Sequence, residues 1–112
     1  MPVRISAAHM RLSDTYMNDA TSGAMSPRGS CDAAFESGYF ALLSALTSDE
    51  RAASSHPSEL LVALASRRLG LDPSPGVTLV ATRYSPEAWT SLEDVVAWAK
   101  KVRARAREVA SG

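Results

Sequence analysis

Arg51 and His56 stand five positions apart in Arg51-Ala52-Ala53-Ser54-Ser55-His56 and supply the residue types of a metal-independent phosphoryl site. A histidine that titrates near neutrality can take a proton from a ribose 2′-hydroxyl or return one to the leaving oxygen. An arginine holds the phosphate and the charge that builds on it. The same two residues also have a packing explanation. The residue before a proline avoids the α region and proline suits a first helical turn, so His56-Pro57 predicts a helix start with His56 as N-cap and Arg51 in a solvated loop before it. Arg68 joins them as a candidate anion or nucleic-acid contact. On a helical wheel it falls among Leu60, Leu61, Leu64 and Ala65, where a charge must reach water along its own methylenes or find a counter-charge.

Other chemistries lack their groups. The chain has one cysteine and two histidines, at 9 and 56, so no metal-ligand spacing exists and neither a metal nor another cofactor is expected. Phosphate-cradling glycine loops and nucleophile elbows are missing from the sequence. Cys31 lies in an apolar helical run without a sequence-local base and reads as a small buried hydrophobe.

These candidates need a scaffold, and 112 residues allow one domain, expected to span 1–112. Twelve basic and twelve acidic side chains cancel, which removes any global attraction to nucleic acid or membrane. Five cations (Lys100, Lys101, Arg103, Arg105 and Arg107) nevertheless crowd the end of the chain, where a helix macrodipole and solvent account for them. Met1 to Ile5 does not read as the start of a signal peptide, and no run of about 18 apolar residues is present. With a single cysteine, the expectation is a cytoplasmic chain with no membrane partner.

Hydrophobic spacing predicts an all-α bundle of four to five helices. The first covers Ser6 to Asp19, with Leu12, Tyr16 and Ala20 four apart, and a Gly/Ser/Pro-rich linker follows over 21–29. The central helix runs from Ser30 to Leu46. Gly38 in its middle predicts a close helix crossing at the Phe35, Tyr39 and Leu42 stripe. A polar loop over 48–55 leads to a third helix, Pro57 to Leu69, ended by Gly70. Residues 77–84 predict a short helix, because a lone strand would leave its backbone groups unpaired. The last helix opens with a capping box at Thr90 and Glu93, with Trp89 as staple, and carries a continuous stripe from Leu92 to Val109. Trp98, at the edge of that stripe, suits the core or a partner equally.

The central helix, Cys31-Asp32-Ala33-Ala34-Phe35-Glu36-Ser37-Gly38-Tyr39-Phe40-Ala41-Leu42-Leu43-Ser44-Ala45-Leu46, resembles the second helix of HEPN domains. The resemblance covers residues 5 to 110 in helix pattern and the central helix alone in residue identity. It implies a small bacterial or archaeal bundle of a kind that often dimerises. In many members an arginine, four to six residues and a histidine form a ribonuclease site across the dimer, and others partner nucleotidyltransferases in toxin-antitoxin pairs. Arg51 and His56 would take those places, although here Ala52 follows the arginine and the pair precedes the third helix. The leading expectation is therefore a non-catalytic interaction module of bacterial type, a homodimer or protein partner joined through an apolar helix face. The alternative is a HEPN-type ribonuclease or nucleotide-binding protein acting on RNA.

Overall fold

Small hydroxyl residues start nearly every helix of this chain. A computed structural model describes residues 3–54, 56–82 and 91–112, and among these it contains six helices and no strand. They are α1 (Ala7–Thr21), α2 (Pro27–Leu43), α3 (Ser48–Ala52), α4 (Glu59–Arg68), α5 (Ser74–Thr82) and α6 (Leu92–Ser111). The Cα radius of gyration, 13.1 Å, matches the value of about 13 Å expected for one compact chain of this length.

Side-chain hydroxyls of Ser6, Ser26, Thr47, Ser58 and Ser91 each accept a backbone N–H three residues on, relieving one of the four donors that a helix start leaves unpaired. Several expected boundaries shift for that reason. α2 starts at Pro27, inside the expected linker, because Ser26 caps it and Pro27 fits the first turn. The sixth helix is α3, in place of the polar loop. Thr47 and Glu50 form a full capping box there, with the Thr47 N–H donating to Glu50 Oε1 at 2.8 Å. α4 is capped by Ser58 rather than His56, and α6 by Ser91, whose Oγ accepts the Asp94 N–H. Thr90 and the expected staple at Trp89 lie outside the described residues, as do 83 and 84 of the short helix, which starts at Ser74.

α2 is the hub, packed chiefly against α1 and α6. Phe35, Leu42, Val62, Leu69, Val95 and Val102 are its largest fully buried apolar neighbours and members. On α1 the buried row is Ser13, Met17 and Ala20 rather than Leu12, Tyr16 and Ala20. Ser13 Oγ donates to the Ser37 carbonyl and Ser37 Oγ to the Ser13 carbonyl, both at 2.7 Å, a reciprocal staple between α1 and α2 that small polar residues hide from a hydrophobic pattern. Gly38 does mark a close crossing. A Cβ there would lie 2.3 Å from Trp98 Cζ3, and the Trp98 ring stacks on Phe35 with centroids 5.8 Å apart. Trp98 thus belongs to the interior seam between α2 and α6.

Candidate functional site

The carbonyls at the end of a helix lack partners further along it, and those of residues 43–46, at the end of α2 and just past it, gather the residues that look functional in sequence. Arg51 Nη1 donates to the Leu43 carbonyl at 3.1 Å and to the Leu46 carbonyl at 2.5 Å. The Ser6 N–H donates to the Ser44 carbonyl at 2.8 Å, and Arg68 Nη1 to the Ala45 carbonyl at 3.2 Å. Four consecutive acceptors are satisfied by three elements: the N-terminal segment, α3 and α4. Two guanidinium charges at this end also favour the negative pole of the α2 dipole.

Glu50 completes the cluster. Its two oxygens accept Arg68 Nη1 and Nη2 at 2.5 and 2.8 Å, the forked geometry that makes an arginine–carboxylate pair strong. The hydrogen bonds from Arg68, followed by that from the Thr47 N–H, lower the Glu50 carboxyl to a pKa of about 2. The Arg68 guanidinium is held protonated in return, chiefly by its bonds to Glu50. The capping signature Thr47-x-x-Glu50 was present in the sequence, and it is the signal that locates Arg68's partner.

Arg51, Arg68 and Glu50 line one open groove of about 670 Å³, together with Arg4 and Ser6 of the N-terminal segment. His56 does not line it. His56 is exposed in the turn before α4, where its N–H donates to Ser54 Oγ and its carbonyl accepts from the same hydroxyl. The histidine whose titration Arg51 affects is His9. Its pKa is lowered first by burial and then by the Arg51 charge, and its Nδ1 lies 2.7 Å from Ser6 Oγ. Within the chain, then, the structure brings Arg51 and Arg68 together at the end of α2 and leaves His56 apart from them.

The three arginines of the basic C-terminal cluster are likewise engaged within the fold, while Lys100 and Lys101 are exposed. Arg103 and Arg107 both reach the Asp14 carboxylate on α1, and Arg105 Nε donates to the Leu69 carbonyl at 2.7 Å. Cys31 is buried, and burial is the leading cause that raises its thiol pKa above the ordinary value. Among the described residues, no group of three His, Cys, Asp or Glu side chains could hold a metal ion, and no helix is long and apolar enough to cross a membrane.

The outward side of α4 carries exposed apolar side chains. α4 buries Leu61, Val62, Ala65 and Ser66, so its inward face is rotated away from the expected Leu60, Leu61, Leu64 and Ala65 face. Leu60 is 83% exposed and Leu64, one turn later, 37% exposed. Beside them α5, rich in Val and Leu, fully buries only Gly76, with Val77, Leu79 and Val80 half-buried. A groove of about 370 Å³ runs between the two helices, with Leu60, Ala63 and Val77 among its walls. Comparison with known proteins finds no family model, no curated protein and no solved structure that matches the chain.

Proposed function

We propose that this chain is a helical interaction module that self-associates as a homodimer through the outward face of α4 and the adjoining side of α5. The observation that carries this reading is Leu60, a large aliphatic side chain 83% exposed on an ordered helix, paired with Leu64 on the same face. A single exposed leucine is ordinary, but two at helical spacing beside a groove walled in part by Ala63, Pro73 and Val77 form a patch that gains from being covered. Burying one leucine is worth roughly 1.5–3 kcal/mol, and symmetry counts each residue twice. A patch confined to two short helices falls at the small end of specific interfaces, so the expected dissociation constant is on the order of micromolar.

Sedimentation equilibrium over a concentration series tests the proposal. The wild type is expected to dimerise and Leu60→Asp to remain monomeric with unchanged helical circular dichroism. Leu12→Asp, on the exposed side of α1, serves as a control that keeps the dimer. A wild type that stays monomeric throughout, or a dimer indifferent to Leu60→Asp, overturns the reading.

A further inference from the structure

The outward face of α4 has a charge order that selects one way of pairing. At 100° per residue, Glu59, Leu60, Ala63, Leu64 and Arg67 fall within about 140° of one another, opposite the buried row. Glu59 and Arg67 are both exposed, and neither forms an ion pair with another described residue. They stand about 12 Å apart along the helix, one at each end of the leucine patch. Ala63 lies midway between them and is a wall of the α4–α5 groove.

We infer that two copies of the chain pair antiparallel across α4, with the two-fold axis passing close to Ala63, so that Glu59 of each copy meets Arg67 of the other. This inference rests on the self-association proposed above and specifies its geometry. In a parallel pair, Glu59 would face Glu59 and Arg67 would face Arg67, two repulsions at the rim of a small interface. The antiparallel pair turns both into attractions and sets Leu60 beside Leu64 of the second copy. Such a surface is self-complementary, as a two-fold interface requires. Ala63 has the small side chain that lets helix axes approach to about 8 Å, and the groove beside it, walled by Leu60 and Val77, offers a hole for a leucine of the second copy. The charges at the rim then act mainly on partner choice and register.

Charge reversal tests this directly. Glu59→Arg carries two cations on the face and Arg67→Glu two anions, so each variant alone is expected to self-associate roughly tenfold or more weakly than wild type. Mixed in equal amounts they are expected to form a heterodimer at near wild-type strength, which native mass spectrometry separates by mass. The double variant Glu59→Arg/Arg67→Glu is expected to recover self-association. Both reversals oppose the α4 dipole, so circular dichroism checks each fold, and a fold defect common to both variants is not repaired by mixing them. If wild type dimerises and the single variants dimerise equally well, the antiparallel pairing is wrong while self-association stands. A monomeric wild type overturns both.

Discussion

Replacing Gly38 with alanine places a methyl group where the Trp98 ring now lies, and two opposing effects make the outcome a quantitative test. The new Cβ would stand 2.3 Å from Cζ3, 2.7 Å from Cη2 and 2.8 Å from Cε3 of Trp98, against a normal carbon contact of about 3.5–4.0 Å. The ring has little room to retreat. Its far side faces Gly76 on α5, where a Cβ would already be 3.2 Å from Cζ2, and Phe35 stacks beside it. Overpacking of this kind costs about 1–3 kcal/mol, whereas alanine gains about 1 kcal/mol over glycine inside a helix. The net expectation is a loss of about 1 kcal/mol, a fall in Tm of roughly 4 °C for a chain of this size. In a Trp98→Ala background the clash disappears and only the propensity gain remains, so the same substitution should stabilise. Urea denaturation followed by circular dichroism, run as a double-mutant cycle, should therefore return a coupling of about 2 kcal/mol with a change of sign. A Gly38→Ala variant that is stabilised equally in both backgrounds refutes the idea that Trp98 requires a glycine at this crossing.

Two further perturbations address the cluster at the end of α2. Glu50 titrates from an ordinary value near 4.5 in the unfolded chain to about 2 when folded, so its contribution is fully present above about pH 4.5 and is lost as pH falls toward 2. Glu50→Gln is expected to lower stability at neutral pH and to flatten that acid segment; a wild-type acid profile that persists in the variant contradicts the assignment. His9 acts in the same direction at higher pH, because its depressed folded pKa makes stability decline as pH falls through its ordinary value near 6.5. Arg51→Ala leaves the Leu43 and Leu46 carbonyls without their guanidinium donor and is expected to cost about 1–3 kcal/mol in denaturant unfolding, with partial recovery in Arg51→Lys. A loss within 0.5 kcal/mol, the usual scale of surface substitutions, means that water serves those carbonyls equally well.

The helical class was legible because the stripes of α2 and α6 are long and regular, and Gly38 and Gly70 announced a close crossing and a helix end. Gly70 indeed takes a left-handed φ of 73°. α3 escaped because five residues are too few to show a period, although its capping box is written at Thr47 and Glu50. The rotation of α1 escaped because its buried contact to α2 is made by two serines, which carry no hydrophobic signal. The candidate site was half legible. Arg68 was marked as a charge that must reach water or find a counter-charge, and the counter-charge the fold supplies, Glu50, lies eighteen residues away on an element the pattern did not contain. Arg51 was marked by its proximity in sequence to His56, whereas the fold engages it with backbone carbonyls.

The misassigned face of α4 follows from the same pair of residues. On the wheel, Arg68 lies about 40° from Leu64 and about 80° from Leu60, so turning those leucines inward would carry the guanidinium toward the core. An unpaired charge there costs far more than the roughly 1.5–3 kcal/mol gained per buried leucine. With Arg68 held instead on Glu50 and the Ala45 carbonyl, the helix settles on Val62, Ala65 and Leu69 as its inward row, and Leu60 and Leu64 turn to solvent. α4 therefore carries a wider apolar arc than the fold of this chain covers, and the arginine that looked like a ligand contact fixes which part of that arc faces solvent.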